Sequence, residues 1–287
     1  MTPTRVLVLV LSIVSVTPLF GDDGKLQAVR ESVREPNSSS TDKQGQTNSG
    51  DDGSGNSTGD RIFGEIVAAP FMVPHILLND DFIVNGYFLP YPFAHEQRGY
   101  MLMDPKDSYH FHRESAEPDY FADASAWMLR LGIEESNDFD GLNRINGQLL
   151  LDTTYRFGLL GSWSYLHERL ERSRTDDLQL GDLNLVYRFA QNKWVQVRSG
   201  VGVRFMIDRD DTHYGFNFNY SGDLFPVEPL VLSTSFDVGS LGHAFVLHAR
   251  QTAGLSFRGW EAYLGYDFLR IGSTNLQGPV IGLRYWY

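Results

Sequence analysis

The sequence predicts an all-β protein whose main domain is an antiparallel up-and-down transmembrane β-barrel of about ten strands. Three observations carry that expectation. After Tyr120, apolar and polar residues alternate with a period of two through segment after segment. Such alternation marks strands with one apolar and one polar face. The connections between segments are short and polar or glycine-containing: "AQNK", "DRDDT", "FPVEP", "GSLG", "FRG" and "GSTN". Finally, glycines and charges share one face while aromatic residues gather at strand ends. A barrel that shows its apolar face to lipid and keeps a polar interior has that distribution.

Bulk properties narrow the class. The chain has 287 residues, 42% hydrophobic, with a formal net charge of −12. That size accommodates one large domain or two small ones. Strong acidity argues against nucleic-acid partners, which bind basic patches. Cysteine is absent. Disulfides, thiolate metal sites and a cysteine nucleophile are therefore excluded.

The N-terminus reads as an export signal. Arg5 supplies a basic start, Val6 to Val16 form an apolar run, and Pro18 and Gly21 break it. The run is too short to span a bilayer as a helix, so residues 1–21 are expected to be a signal peptide. Residues 22–60 are rich in Gly, Ser, Asn and Asp. They bury too little to offset chain entropy, and a disordered linker is expected. Residues 61–120 are aromatic and punctuated by Pro70, Pro74, Pro90 and Pro92, which deny them long helices or central strands. They are too apolar for a linker. An extended segment docking at the near mouth of the barrel with partial entry is expected, with "NGYFLPYPFA", Asn85 to Ala94, as the docking piece; a mobile tail that binds another periplasmic protein is the alternative.

Residues 121–287 form the predicted barrel. "AWMLRLGIE" sets Trp127, Leu129, Leu131 and Ile133 against Met128, Arg130, Gly132 and Glu134. "QLLLDTTYRF" sets Leu149, Leu151, Tyr155 and Phe157 against Asp152 and Arg156. "DLNLVYRF" opposes Leu183, Leu185, Tyr187 and Phe189 to Asp182, Asn184 and Arg188. In "VQVRSGVGVRFMI" the valines, Phe205 and Ile207 face away from Gln196, Arg198, Gly200, Gly202 and Arg204. "WEAYLGYDF" opposes Trp260, Leu264, Tyr266 and Phe268 to Glu261, Gly265 and Asp267. Weaker segments near 159–166, 214–220, 230–238 and 245–257, with the C-terminal run, bring the number to about ten; eight is the alternative. Followed alternately up and down, the meander gathers Tyr155, Phe157, Tyr187, Phe189, Phe218, Tyr220, Phe257, Trp260, Tyr285 and Tyr287 at one rim. Aromatic girdles at membrane–water interfaces have this arrangement.

The chain closes on "IGLRYWY". Alternating Ile281, Leu283, Tyr285 and Tyr287 resemble the C-terminal assembly signal of bacterial outer-membrane β-barrel proteins. The pattern of residues 121–287 resembles that family as a whole. The resemblance implies export, residence in a Gram-negative-type outer membrane, and two partners: the lipid bilayer and the barrel assembly machinery. It also implies an even strand number with both barrel ends at the periplasmic side. It leaves the oligomeric state open.

The lumen face carries the candidate functional residues: Arg130, Asp152, Arg156, Asp182, Arg188, Arg198, Arg204, Arg250, Glu261, Asp267 and Arg284. In a barrel this small, side chains nearly fill the interior. The set therefore reads as a network of ion pairs holding the wall together, or as a narrow, anion-leaning pore if glycines 200, 202, 254, 265 and 282 leave room for water. The expected role is structural or passive transport, without cofactor, metal or catalytic residues.

Two other classes fit parts of the pattern. Asp138-Phe139-Asp140 and Asp211-Thr212-His213 fall in outer-rim loops and are similar to the acidic and His–Asp pairs of omptins, ten-stranded outer-membrane proteases. Activation of a water for peptide hydrolysis would follow from that resemblance. A secreted soluble β-barrel that binds a ligand is the remaining class. His110 and His112, with Glu114 beside them, have metal-ligand chemistry but no further ligand of matching spacing. Asp208, Asp210 and Asp211 lack the spacing of a calcium loop.

Overall fold

The computed structural model describes residues 24–35, 74, 88–93, 100–103 and 127–287, apart from 140, 171–173, 193 and 210. The signal-peptide reading of 1–21, and the candidate ligands His110, His112 and Glu114, lie outside the described residues. One helix, α1 (Lys25–Arg34), precedes a short antiparallel pair, β1 (Phe88–Tyr91) and β2 (Tyr100–Met103). Ten strands follow: β3 (Trp127–Asn137), β4 (Leu142–Thr153), β5 (Phe157–Arg169), β6 (Thr175–Gln191), β7 (Val195–Ile207), β8 (Thr212–Val227), β9 (Leu230–Leu241), β10 (Ala244–Phe257), β11 (Trp260–Ile271) and β12 (Thr274–Trp286).

Each strand pairs antiparallel with its sequence neighbours, and β12 pairs with β3 to close a ten-stranded barrel. Closure leaves the barrel without an exposed sheet edge, as spanning a hydrocarbon layer demands. The seam runs to the last residue. Tyr287 donates its N–H to the Leu129 carbonyl at 2.8 Å and accepts from Leu129 at 3.0 Å. The C-terminal aromatic is thus a rung of the ladder.

The wall is inside out. Ile133, Leu264 and Ile281 are 60–67% exposed on the outer face, while Arg156, Arg188 and Arg198 are 1% exposed within. Water on the outside would reverse this preference; a bilayer explains it. At the rim where β3 begins and β12 ends, here called proximal, aromatic rings pair across strands. Trp127 meets Tyr287, Phe157 meets Tyr187, Phe189 meets Tyr220 and Trp260 meets Tyr285, with centroids 4.7–5.7 Å apart. The cross-strand register brings these rings together.

Three expectations need correction. "QLLLDTTYRF" is not one strand: it turns through Thr154, Tyr155 and Arg156, the last at φ 68°. The alternation survives the turn because Leu151 and Phe157 lie on the same outer face of adjacent strands. Within 22–60, residues Lys25–Arg34 are helical rather than linker. Leu26, Val29 and Val33, spaced i, i+3 and i+7, make one buried stripe. The lumen, moreover, is polar only in its middle.

Candidate functional site in the barrel lumen

The interior is stacked in three tiers. At the distal mouth Leu26, Val29 and Val33 of α1 pack with inward residues that include Leu142, Leu166, Leu178, Leu180, Met206 and Leu269. At the proximal mouth Met128, Leu150, Val186, Phe225, Val231 and Trp286 form a second apolar layer, with Phe93 and Leu160 against it. Phe93 meets Phe225 edge-on at 6.0 Å, and Phe225 meets Trp286 at 6.4 Å. Phe93 and the buried Pro92 therefore place part of the predicted docking piece inside the proximal mouth.

Between the apolar tiers lie the charges. Asp223 accepts from Arg198 at 2.8 Å, Arg130 at 3.1 Å and Ser233 at 2.7 Å. Glu261 accepts from Arg284 and from the Trp286 indole N–H, each at 3.0 Å. Arg284 lies over the Tyr263 ring at 3.9 Å, and Arg130 over Trp286 at 4.9 Å. Both contacts join cation to ring face. Glu134 accepts from Asn146 and from the Tyr263 hydroxyl, each at 2.8 Å, and pairs with Arg250. Asp152 pairs with Arg188 at 2.6 Å, and Arg188 also donates to the Thr153 carbonyl at 3.2 Å. Arg156 reaches the Arg188 carbonyl at 3.5 Å.

Asp267 pairs with Arg144 at 2.8 Å. His248 bridges Asp267, 2.9 Å from its Nε2, and Asp237, 3.2 Å from its Nδ1. An imidazole donating from both nitrogens satisfies both carboxylates. Asp182 accepts from Ser162 at 2.5 Å and Asn184 at 2.8 Å. Arg204, directly opposite Asp182 in the β6–β7 ladder, is 5% exposed, and its Nη1 has no hydrogen-bond partner.

All eleven lumen residues named from sequence lie on the inner face or, for Arg156, in the proximal turn beside it. Most are joined into this network. Sequence reasoning left out Arg144, Asp223, Asp237 and His248. His248 has the same strand parity as Arg250, so the signal was present. Arg144 stands in "ESNDFDGLNRING", which has the composition of a loop, and the others fall in segments without clean alternation.

A chamber of about 100 Å³ remains in the charged tier, lined by Arg130, Arg144, Arg198, Arg204, Arg250 and Arg284 against Asp182, Asp223, Asp237 and Asp267. It has room for several waters. The five glycines named from the sequence do not enlarge it. A Cβ on Gly254 would collide with Glu261, and one on Gly282 with the Tyr263 hydroxyl. These glycines admit neighbouring side chains, which occupy the space they vacate.

The outer-rim acids meet α1. Asp138 pairs with Lys25, and Asp211 with Arg34 at 3.0 Å. Among the described residues, no group of three or more His, Asp or Glu is arranged to hold a metal.

Fold and interior together define the class: an outer-membrane-type β-barrel with a filled lumen. No family model matches the sequence. No curated protein is significantly similar to it. Among solved structures the chain is similar to CdiB from Acinetobacter baumannii, at 10% identity over 51% of this chain, with a TM-score of 0.28. The chain covers 39% of the length of CdiB. It is also similar to the KdgM porin, at 10% identity over 55% of this chain and 98% of the porin, with a TM-score of 0.25.

Proposed function

We propose that this chain is a resident outer-membrane barrel whose interior is sealed to bulk solute flow, with a structural role. The observation that carries the reading is the charged tier held between two apolar layers. A permeating ion would have to break paired, buried charges and cross both layers, each step costly in low dielectric. On this reading residues 1–21 direct export. Ile281, Leu283, Tyr285 and Tyr287 are read by the assembly machinery, and the bilayer is the partner of the outer face. The chemistry needs no cofactor.

A narrow passive pore is the second reading. It is favoured by the chamber lining, where six arginines face four aspartates. Planar-bilayer recording of the purified full chain separates the two. The sealed barrel gives a flat baseline at all voltages, whereas reproducible steps with anion over cation preference would replace it with the pore.

A further inference from the structure

Helix α1 sits at the distal mouth, yet the barrel begins at the proximal rim. The whole segment 35–126 separates the helix from Trp127. Distance along the sequence does not by itself bring the helix to that mouth. The helix must hold its place by its own contacts.

Those contacts come from around the distal rim. Glu168, near the end of β5, accepts from the backbone N–H groups of Lys25 at 2.8 Å and Leu26 at 2.9 Å. It thereby satisfies the helix N-terminus, which has no side-chain cap of its own. Asp138 of the β3–β4 connection takes Lys25. Arg30 forks between Asp176 at the start of β6, 2.8 Å from its Nη2, and Asp208 of the β7–β8 connection, 2.6 Å from its Nε. Arg34 reaches Asp211. The β9–β10 turn donates the His243 N–H to the Val33 carbonyl at 3.0 Å.

Two turn glycines shape the remainder. Gly242 and Gly272 have φ of 54° and 58°, and a Cβ on Gly272 would lie 2.7 Å from the Ser32 Cβ. The loops thus fit closely around the helix. The mouth presents a carboxylate collar around an apolar floor, and α1 presents three cations around an apolar stripe.

Ten residues are too few to hold a helix in water. Away from the collar α1 loses its cap, its ion pairs and its apolar contacts together. Seating and helix formation are therefore one cooperative event. We infer that the distal mouth is a binding site for a cationic amphipathic helix and that α1 is its releasable, built-in occupant. Leu180, Leu269 and Ile271 belong both to the floor under α1 and to the chamber lining, so release uncovers the arginine-lined chamber from the distal side. This holds whether or not the lumen conducts.

The absence of native cysteine makes the test direct. Single variants Val33→Cys, buried in the seat, and Glu31→Cys, exposed, are made in the full chain and folded into lipid nanodiscs, which leave both faces accessible. A polar maleimide should label Val33→Cys at least about tenfold more slowly than Glu31→Cys, as protection by a seated segment requires. Adding Arg30→Glu should abolish the difference. A synthetic peptide of residues 24–36 should raise Val33→Cys labelling by taking the seat, and the same peptide with Arg30→Glu should not. A heat-shifted gel band reports that the barrel is folded, and Asp208→Asn supplies the same loosening from the barrel side should Arg30→Glu not fold. Equal labelling of both sites at the outset, or slow Val33→Cys labelling in every background and with every peptide, overturns the inference.

Discussion

The two mouths of the barrel are sealed by the same physics and by different parts of the chain. At the proximal end, the barrel's own inward side chains close the lumen: Trp286, Phe225, Met128, Leu150, Val186 and Val231. Trp286 is fully buried, hydrogen-bonded to Glu261 and covered by Arg130. At the distal end the inward leucines leave a central gap, and a helix from far upstream fills it. A seal made of wall residues can open only by deforming the wall, while a seal made of a tethered helix opens by losing the helix. Apolar burial gives both layers their stability, but only the distal one is gripped by charge pairs a solvent change can reach.

The largest expected effect breaks the proximal side. Trp286→Ala removes a buried indole and leaves Glu261 one donor short. It should destabilise the barrel by roughly 3–5 kcal/mol, read as the shift in denaturant unfolding of the folded gel band. A spin label on Glu31→Cys should keep its seated line shape in that variant. Loss of the seated signal would mean that the two mouths are coupled, and the contrast between them would fail.

A smaller effect sharpens the distal side through pH. Burial alone would raise the Asp208 carboxyl. Hydrogen bonds from Arg30 and the Arg209 N–H, with the charges of Arg30 and Arg34, hold it below the usual carboxylate range. Asp176, which shares Arg30, and the exposed Asp211 complete its surroundings. A depressed acid contributes stability in full above its unfolded pKa, near 3.9 for aspartate, and loses it as pH falls through the lower seated value. The Glu31 label should therefore report a seated helix unchanged from about pH 8 to 5 and increasing mobility only below about 4. Asp208→Asn should be looser at neutral pH and less sensitive to acid. Release centred near neutrality would place the controlling group elsewhere.

Arg34→Ala should do least. Its side chain is 40% exposed; its nearer partner Asp211 is 55% exposed and the buried Asp208 is 3.4 Å away, so solvent screens what it contributes. Seating should weaken by under about 1 kcal/mol, the value typical of exposed pairs, and that loss should shrink further in high salt. An effect as large as that of Arg30→Glu would show that the helix is held at its end rather than by its buried centre.

Period-two alternation, a local property, was enough to bring the strand number to about ten, to locate most turns and to assign Arg130, Arg198, Arg204 and Arg284 to the inner face. The aromatic rim followed from strand direction alone, because up-and-down topology returns every second turn to the same side. The end of the chain was legible too, since Ile281, Leu283 and Tyr285 continue the outward rhythm. What alternation cannot say is how high along the lumen an inward residue stands or what faces it across the bore. Met128 and Arg130 share a face and are two residues apart, yet one joins the proximal apolar layer and the other pairs with Asp223. The seat of α1 was equally hidden. Leu26, Val29 and Val33 carry a helical spacing, but ten residues do not fold by themselves, and Arg30 finds Asp176 and Asp208 only after the barrel has closed. The strand pattern depends on neighbours in sequence and could be read from it. The tiers and the plug depend on partners brought together by closure, and only the tertiary structure decided them.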